Sequence, residues 1–383
     1  MLLYRFIVKL IQPYYRAIGV LVVMGSMVVS MAGCGKASDG GVFRSSDGGS
    51  SWEQKTFISQ EGRKIKTIND VNVTTIVTHP TDHQLLYLGT KANGLYVSFD
   101  SGDHWVTTAL TTGHVSAIAI DQTQPDIVFI AHDRTIKKST DGGVTWEVMH
   151  TDPKNGRLTS VIIDYYDHTK IYASSTSGTV VKSVDEGQRW DLRLQLDDSI
   201  QELLMANHDT KILYALDDDG RLFKTTNGGE QDPLNEDEDK PVNSGWIEVF
   251  DKAFRSQFNA TSAAVDIALD RNDSTILYMA AKRGIMRGSN NATQWEDITT
   301  LLGYNDKRNE SIRNLIIVPG NSTTLYFTLD NGIQKSTDAG NSWEIIETFP
   351  STRRISAVLI DPTTTTTLYA GTEFVEEKKG LIR

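Results

Sequence analysis

Several common features are scarce in this sequence of 383 residues. It contains one cysteine, Cys34, so a single chain cannot form an internal disulfide bond. Its 38 basic residues are outnumbered by 49 acidic ones, which gives a net charge of −11. Because nucleic-acid binding needs a basic surface, this balance argues against a nucleic-acid partner. The eight histidines are scattered, with no pair at metal-binding spacing, and we expect neither a metal ion nor a cofactor.

The one long apolar stretch lies at the N-terminus. Residues 1–16 contain three basic residues and no acid, residues 17–31 are apolar or small, and Met31-Ala32-Gly33-Cys34 follows. Positive, apolar and small-residue regions in this order are typical of a secretory signal. We therefore predict a signal peptide over residues 1–33 and an extracytoplasmic location for the rest of the chain.

The segment from Met31 to Cys34 resembles the lipobox of bacterial lipoproteins, in which the cysteine becomes the lipidated first residue of the mature chain. The resemblance implies that Cys34 carries the lipid, that residues 34–40 are the lipidated cysteine and a short linker, and that the protein is anchored to the cell membrane. An uncleaved leader that itself anchors the chain is the alternative. Either outcome tethers an exported domain to a membrane.

A short turn motif with the pattern S-x-D-x-G-x-x-W recurs along the chain, and all seven tryptophans belong to copies of it. Five copies are complete, and their aspartate and tryptophan residues are Asp47 and Trp52, Asp100 and Trp105, Asp141 and Trp146, Asp185 and Trp190, and Asp338 and Trp343. Two copies are degenerate. Residues 225–229 are separated from Trp246 by an insertion, and Asn290 replaces the aspartate before Trp295. A period of roughly 40 to 55 residues indicates propeller blades or a similar array.

The aspartate, glycine and tryptophan that recur in the motif each have a structural role. An aspartate carboxylate accepts hydrogen bonds from backbone N–H groups one or two residues further on, which closes a tight turn. The glycine adopts a backbone conformation that other residues avoid, and the tryptophan offers a large apolar face for packing between sheets. We therefore expect the motif aspartates to be structural rather than catalytic.

One repeat shows how the strands are arranged. Residues 115–121 alternate apolar and small residues, as a half-buried strand does, and residues 127–130 form a second apolar run after Pro125. Residues 135–139 lead into the turn motif, and residues 146–148 leave it. These four antiparallel strands, A to D in chain order, make one predicted blade.

Strand B contains a bulky aromatic residue in every repeat. These residues are Tyr87, Phe129, Tyr172, Tyr214, Tyr278, Tyr326 and Tyr369. Seven A–B pairs and seven C–D turns, with no amphipathic helix of useful length between them, predict an all-β fold. The prediction is a seven-bladed β-propeller of four-stranded antiparallel blades over residues 41–383.

The two ends of the chain indicate how the ring closes. The sequence enters the propeller at a strand C, residues 41–45, and its last repeat supplies strands A and B near Ile355 and Leu368. We predict that N- and C-terminal strands pair in one blade, which removes exposed sheet edges. Gly380 to Arg383 looks like a further strand C, and it either lies outside the ring or changes the closure.

The loops between strands D and A are basic although the protein is acidic. In this topology they share a face with the B–C loops, opposite the turn motifs and the A–B loops. We predict binding at this face, where converging loops would gather a patch that attracts carboxylates. The selected residues are Arg63, Lys66, Arg157, Arg255, Arg308, Arg313, Arg353 and Arg354. Ordinary solvated charge is the alternative, because acids such as Asp152 lie among them.

The turn pattern resembles the Asp-box, or BNR, repeat of sialidase-like β-propellers. The seven blades, the lipoprotein-like leader and the arginines on one face resemble the photosystem II stability/assembly factor family, and the repeats are more distantly similar to those of the sortilin propeller. The resemblance to the assembly factors implies a membrane-tethered, non-enzymatic scaffold that binds a protein during assembly of a membrane-protein complex. The expected partner is a protein or a glycan, and we expect a monomer.

A sialidase-like or other glycoside hydrolase, or a glycan-binding propeller, is the alternative. Sialidases use a tyrosine nucleophile with a partner acid, and an arginine triad that begins in a Phe-Arg-Ile-Pro-like segment. In this chain Phe43-Arg44-Ser45-Ser46 belongs to a turn-motif strand, and no G-x-S-x-G nucleophile motif is present. We therefore expect that the protein is not an enzyme.

Overall fold

A computed structural model describes residues 39–230, 245–250, 264–281, 284–298, 312–330, 332–346 and 349–375. They contain thirty strands, in seven four-stranded sheets and one two-stranded sheet. The predicted all-β, seven-bladed propeller is confirmed. The predicted signal peptide, Cys34 and the strand at Gly380 to Arg383 lie outside the described residues. Within those residues, no helix has the length and apolar character needed to cross a membrane.

Six blades are built from consecutive antiparallel strands, and we number them 1 to 6 in chain order. Blade 1 contains β5 (Val73–Thr78), β6 (Leu86–Thr90), β7 (Leu95–Ser98) and β8 (Val106–Thr107). Blade 2 contains β9 (Val115–Ile120), β10 (Val128–His132), β11 (Thr135–Ser139) and β12 (Glu147–Thr151). Blade 3 contains β13 (Leu158–Ile163), β14 (Ile171–Ser175), β15 (Thr179–Ser183) and β16 (Asp191–Gln195).

The remaining consecutive blades follow the same order of strands A to D. Blade 4 contains β17 (Ile200–Met205), β18 (Leu213–Asp217), β19 (Leu222–Thr225) and β20 (Ile247–Phe250). Blade 5 contains β21 (Ala264–Leu269), β22 (Leu277–Ala281), β23 (Gly284–Ser289) and β24 (Gln294–Asp297). Blade 6 contains β25 (Leu315–Val318), β26 (Asn321–Thr328), β27 (Ile333–Ser336) and β28 (Glu344–Ile346).

Blade 7 joins the two ends of the propeller. Its strands are β29 (Arg354–Ile360), β30 (Leu368–Glu373), β1 (Val42–Ser45) and β2 (Glu53–Gln54), in the sheet order β2-β1-β30-β29. Strand β1 pairs with β30 along its whole length, from Val42 opposite Gly371 to Ser45 opposite Leu368. The predicted closure by N- and C-terminal strands is therefore confirmed.

A small hairpin projects from the connection between blades 7 and 1. It consists of β3 (Phe57–Glu61) and β4 (Lys64–Thr67). The sequence predicts an irregular basic loop here. The strands pair instead because Gly62, with a φ of 60°, supplies the left-handed residue that a two-residue hairpin turn needs. The N–H of Trp105 in blade 1 donates to the carbonyl of Phe57 at 2.8 Å and fixes the base of the hairpin.

The complete turn motifs rest on two hydrogen-bond acceptors. In the first copy, Ser45 Oγ accepts the N–H of Gly49 at 2.8 Å, and Asp47 Oδ1 accepts the N–H of Ser51 at 2.8 Å. The same two bonds recur in the copies at Asp100, Asp141, Asp185 and Asp338. The carboxylate therefore reaches four residues forward, rather than the one or two expected from the sequence, because the intervening residues wrap around it.

Hydrogen bonds within the turn keep the carboxylates of Asp47 and Asp185 ionised. The hydroxyl and the N–H of Ser51 lower the pKa of Asp47, and the Arg189 side chain lowers the pKa of Asp185 to about 2. A general acid must hold a proton near the working pH. Carboxylates with lowered pKa values that face their own turns are suited to hold structure.

The residue that follows the aspartate position connects neighbouring blades. It is left-handed in all seven repeats, with φ between 55° and 75°. Its carbonyl accepts a hydrogen bond from a strand B or strand C side chain of the preceding blade. The donors and acceptors are Tyr326 and Gly48, Arg44 and Ser101, Tyr87 and Gly142, Lys138 and Glu186, Tyr172 and Gly228, Lys224 and Asn291, and Tyr278 and Ala339, at 2.8 to 3.5 Å. These bonds continue around the whole ring.

The N–H of this left-handed residue donates a hydrogen bond within its own blade. That of Gly142 donates to Asp126 in the A–B loop at 2.9 Å, and that of Gly48 donates to Thr366 at 2.8 Å. The equivalent bond is present in each of the other five blades. Both backbone polar groups of the left-handed residue are therefore paired, as buried backbone requires, and the turn is held on two sides.

The motif tryptophans pack where blades meet. Trp105 is fully buried, and its indole N–H donates to the carbonyl of Lys55 in blade 7 at 2.9 Å. The ring of Trp52 packs edge-on against Phe349, with 5.3 Å between centroids. Burial of such a ring contributes apolar area that short strands lack.

The inter-blade bonds predict different effects for two equivalent tyrosines. Tyr87 donates its hydroxyl to Gly142 at 3.1 Å, whereas the buried hydroxyl of Tyr214 has no hydrogen-bond partner among the described residues. In Tyr214's blade, Lys224 makes the equivalent bond. We expect Tyr87→Phe to lower the free energy of unfolding by about 1 kcal/mol and Tyr214→Phe to be neutral or stabilising. Urea denaturation of both variants measures this, and equal losses would contradict the role assigned to the ring.

Candidate functional site

The B–C and D–A loops meet on the face opposite the turn motifs. The N–H of Asp152 donates to the carbonyl of Arg134 at 2.9 Å, and the N–H of Leu158 donates to that of Asp133 at 2.8 Å. The N–H of Thr176 likewise donates to the carbonyl of Arg157 at 2.8 Å. These contacts between D–A and B–C loops create a continuous surface, which we call the D–A face.

Three of the predicted cationic residues lie where strands A begin. Arg157 directly precedes β13, Arg313 stands two residues before β25, and Arg354 is the first residue of β29. Because strands A line the central channel, the structure brings these side chains to its mouth on the D–A face. Arg157 is exposed to solvent.

Arg313 and Arg354 are each neutralised by an acidic residue in or next to a B–C loop. Arg313 Nε donates to Asp330 Oδ1 at 2.9 Å, and Arg354 Nη2 lies 2.6 Å from Glu373 Oε1. The mouth is therefore a mixed surface of paired and unpaired charge, rather than the uniform basic patch expected from the sequence.

Arg353 has a different position. Its guanidinium lies 3.5 Å from Asp39 and 3.6 Å from Asp70, and its side chain is 13% exposed. It also lies 5.9 Å from the centre of the Phe374 ring. Arg353 therefore ties segments on both sides of the closing blade together and has little surface left for a partner.

Two further predicted residues, Arg63 and Lys66, lie away from the channel mouth. Arg63 and Lys66 are exposed on the β3–β4 hairpin, and the ring of Phe57 at the hairpin's base packs against His104 of a turn motif, 5.1 Å away. Arg255 and Arg308 lie outside the described residues.

A buried aspartate shapes the loop that carries Arg157. Asp152 Oδ1 accepts the N–H groups of Lys154 at 2.8 Å and Gly156 at 2.9 Å, and Oδ2 accepts the hydroxyl of Ser177 at 2.6 Å. Burial opposes ionisation, but the serine hydroxyl and backbone N–H bonds outweigh it and lower the pKa of Asp152. The carboxylate is therefore an anchor of the loop, not the solvated charge that the sequence suggested.

His114 belongs to the mouth and was missed from the sequence. It directly precedes β9, as Arg157 precedes β13. Burial, assisted by the charges of Arg157 and Lys91, lowers the pKa of His114 to about 4, so the imidazole is neutral at pH 7. Alignment of the repeats by their strands A would have identified this position.

The central channel contains a cavity of about 400 Å³, which is lined by residues in or next to the strands A of blades 1 to 6. Its polar lining includes Gln201, Glu202, Asp266, Arg313 and Asn314. Glu202 in β17 and Asp266 in β21 occupy the same place in adjacent blades, directly after the shift in strand register. The two carboxyl groups share a hydrogen bond.

The backbone of the next blade completes this carboxyl pair. Glu202 Oε2 accepts the N–H of Ile267 at 3.3 Å, and Asp266 Oδ2 accepts the N–H of Leu315 at 2.6 Å. Burial, followed by the charge of Asp266, raises the pKa of Glu202 well above its usual value. Burial also raises the pKa of Asp266. The sequence does not reveal the pair because Glu202 and Asp266 are far apart in the chain and meet only where the strands A of two blades lie side by side.

The geometry of the pair does not suit glycoside hydrolysis. The two carboxyl groups of such an enzyme are separated by roughly 5 to 9.5 Å, so that the sugar, and in inverting enzymes a water, fits between them. Glu202 and Asp266 are in direct hydrogen-bond contact, and no tyrosine is among the residues that line their cavity. Within the described ranges, no group of three or more His, Cys, Asp or Glu side chains is arranged to hold a metal ion.

No protein-family model matches the sequence, and no curated protein matches it. Solved structures match its fold. YCF48 from Cyanidioschyzon merolae aligns with a TM-score of 0.59 at 13% identity, over 79% of this chain and 96% of that one. YCF48 bound to a D1 peptide aligns with a TM-score of 0.57 at 13% identity, over 79% of this chain and 94% of that one.

Larger enzymes match as well. The GH74 xyloglucanase from Xanthomonas campestris has a TM-score of 0.61 at 16% identity, over 79% of this chain and 51% of that one. The GH74 enzyme of Niastella koreensis has a TM-score of 0.60 at 15% identity, over 83% and 53%. This chain thus spans about half of each enzyme. At these identities the likeness shows the fold alone: a propeller similar to that of YCF48 and to part of the GH74 enzymes.

Proposed function

We propose that this protein is a non-enzymatic scaffold that binds a protein partner through the D–A face. The supporting observation is the exposed guanidinium of Arg157 at the channel mouth, in a protein whose net charge is −11. A similar propeller, YCF48, has been solved with a bound peptide, which is consistent with this mode of action.

The chemistry of the mouth favours an acidic partner surface. Burial is the larger cause of the lowered pKa of His114, but the charge of neighbouring Arg157 contributes to it, which places a cation beside the imidazole at the mouth. A guanidinium binds carboxylates through two parallel hydrogen bonds. Arg313 donates one hydrogen bond to Asp330, and Arg354 donates two to one oxygen of Glu373. A partner carboxylate could reach Arg157 beside them.

The scaffold is proposed to act at a membrane surface. The leader of residues 1–33 and Cys34 support export and lipid anchoring. The linker from Cys34 to the first strand is short, so the propeller would lie close to the bilayer. A partner that is part of a membrane-protein complex under assembly fits this position.

Photo-crosslinking tests which face binds. A photoreactive amino acid replaces Arg157 on the D–A face or, as a control in the same blade, Tyr166, which is 71% exposed in the A–B loop. In cells we expect a discrete crosslinked protein from position 157 and none from position 166. Equal labelling from both positions, or labelling from 166 alone, would place binding on another surface.

Charge reversal tests the role assigned to Arg157. We expect Arg157→Glu to weaken binding of the protein captured by crosslinking on the order of tenfold, with a smaller loss at high salt. Arg189→Glu is the control, because Arg189 is an exposed arginine on a turn motif of the opposite face. A loss shared by both variants would indicate a general charge effect rather than a site.

Fractionation tests the anchor. We expect the wild-type chain in the membrane fraction with a lipid-modified Cys34. Cys34→Ala should remain uncleaved, because lipidation precedes removal of a lipoprotein leader. A wild-type chain that keeps its leader and lacks lipid would support the uncleaved-anchor alternative, and a soluble wild-type chain would contradict both.

A glycoside hydrolase is the second candidate, since GH74 enzymes share the fold. The contact between Glu202 and Asp266 speaks against their acting as its carboxylate pair. Incubation of the purified protein with xyloglucan and with sialosides tests this directly. Release of reducing sugar or sialic acid that scales with protein concentration would overturn the non-enzymatic proposal.

A further inference from the structure

The strands A are joined across blades by side chains that face the channel. In blades 3, 4 and 5 the residue after the shift in strand register is Ser160, Glu202 or Asp266. Each accepts a backbone N–H from strand A of the next blade. The donors are Leu203 to Ser160 at 3.1 Å, Ile267 to Glu202 at 3.3 Å, and Leu315 to Asp266 at 2.6 Å. Three consecutive bonds thus connect blades 3 to 6.

Two of these three acceptors are carboxyl groups that also contact each other. A hydrogen bond between two carboxyl groups requires one proton, and here the O–H of Glu202 donates to the carboxylate of Asp266. When that proton leaves to solvent, two negative charges remain in contact. Like charges in contact repel each other, and because both side chains are partly exposed to the channel cavity, solvent screens this repulsion only in part.

The surroundings do not neutralise a second negative charge. The cation in the cavity lining, Arg313, is already paired with Asp330 at 2.9 Å. The other polar lining residues are neutral: Thr75, Ser116, Thr159, Ser160, Gln201 and Asn314. Ionisation of both carboxyl groups must therefore be relieved by separation of the strands that carry them, or by entry of water.

We propose that Glu202 and Asp266 form a proton-controlled lock that joins blades 4, 5 and 6 when one proton is shared and loosens them when it is lost. The lock lies in the channel whose mouth is on the D–A face, but the inference does not depend on the proposed partner. Neutral Ser160 makes the same kind of bond without a titratable group, so the joint between blades 3 and 4 supplies an internal reference.

The sign of the pH dependence follows from the raised pKa values. The folded chain retains a proton that the unfolded chain has released, since burial raises the pKa of Asp266 from its ordinary value of 3.8 to about 6 and raises that of Glu202 as well. Asp266 releases its proton first, which leaves the proton that Glu202 shares with it. The stabilising contribution of that shared proton is present in full below the ordinary Glu202 pKa of 4.5 and is lost as the pH rises through the higher folded-state pKa of Glu202. The blades loosen toward alkaline pH.

Amide hydrogen exchange of the full chain, resolved by residue, tests the lock. After correction for intrinsic rates, we expect protection of the Ile267 and Leu315 N–H groups to fall about tenfold or more between pH 7 and pH 10. Protection of the Leu203 N–H should stay constant. If all three amides change together, or none changes, the lock is excluded.

Two variants separate the charge from the packing. Glu202→Gln preserves a donor to Asp266 and an acceptor for the Ile267 N–H, so protection of that amide should be independent of pH between pH 7 and pH 10. The Tm of this variant at pH 10 should exceed that of the wild type. Asp266→Asn should also remove the pH dependence while an amide oxygen still accepts the Leu315 N–H. A wild-type pH dependence that persists in both variants overturns the proposal.

Discussion

The hydrogen bond from one blade to the left-handed residue of the next turn is the contact on which the ring depends. Strands of two to eight residues cannot hold a blade on their own, because a small sheet buries little apolar area. At every junction, a tyrosine, lysine or arginine of one blade reaches the carbonyl that the next turn presents. In the complete motifs the turn presents it because serine and aspartate side chains fold the backbone into a left-handed conformation, even at Ser101, Glu186 and Ala339.

This arrangement gives the two faces of the propeller different roles. The turn side is occupied by bonds to the A–B loops and to the preceding blade, so its aspartates are committed to structure. On the other side, the residues at comparable places before or at the start of strand A differ between repeats: His114, Arg157 and Arg354. A rigid ring with variable loops on one face is the usual basis for recognition.

The repeat allowed much of the fold to be predicted. Turn motifs and strand B aromatics are local signals, and they gave the seven blades and the closure of β1 on β30 correctly. Features that depend on distant partners were missed. The pairing of Arg354 with Glu373 joins a D–A loop to the end of a strand B, and Glu202 meets Asp266 across a blade boundary. Charge in the sequence indicated a basic face, but pairing removes part of it. The β3–β4 hairpin was not predicted, because a single residue, Gly62, determines whether this segment forms a hairpin turn or an open loop.

Hydrogen exchange in low denaturant at pH 5 most directly tests whether the ring of inter-blade bonds makes the blades one unit. We predict that strand B amides of all seven blades exchange through the same opening, with one free energy and one denaturant dependence. Blades that open separately, each with its own free energy, would contradict the central role given to the turn carbonyls.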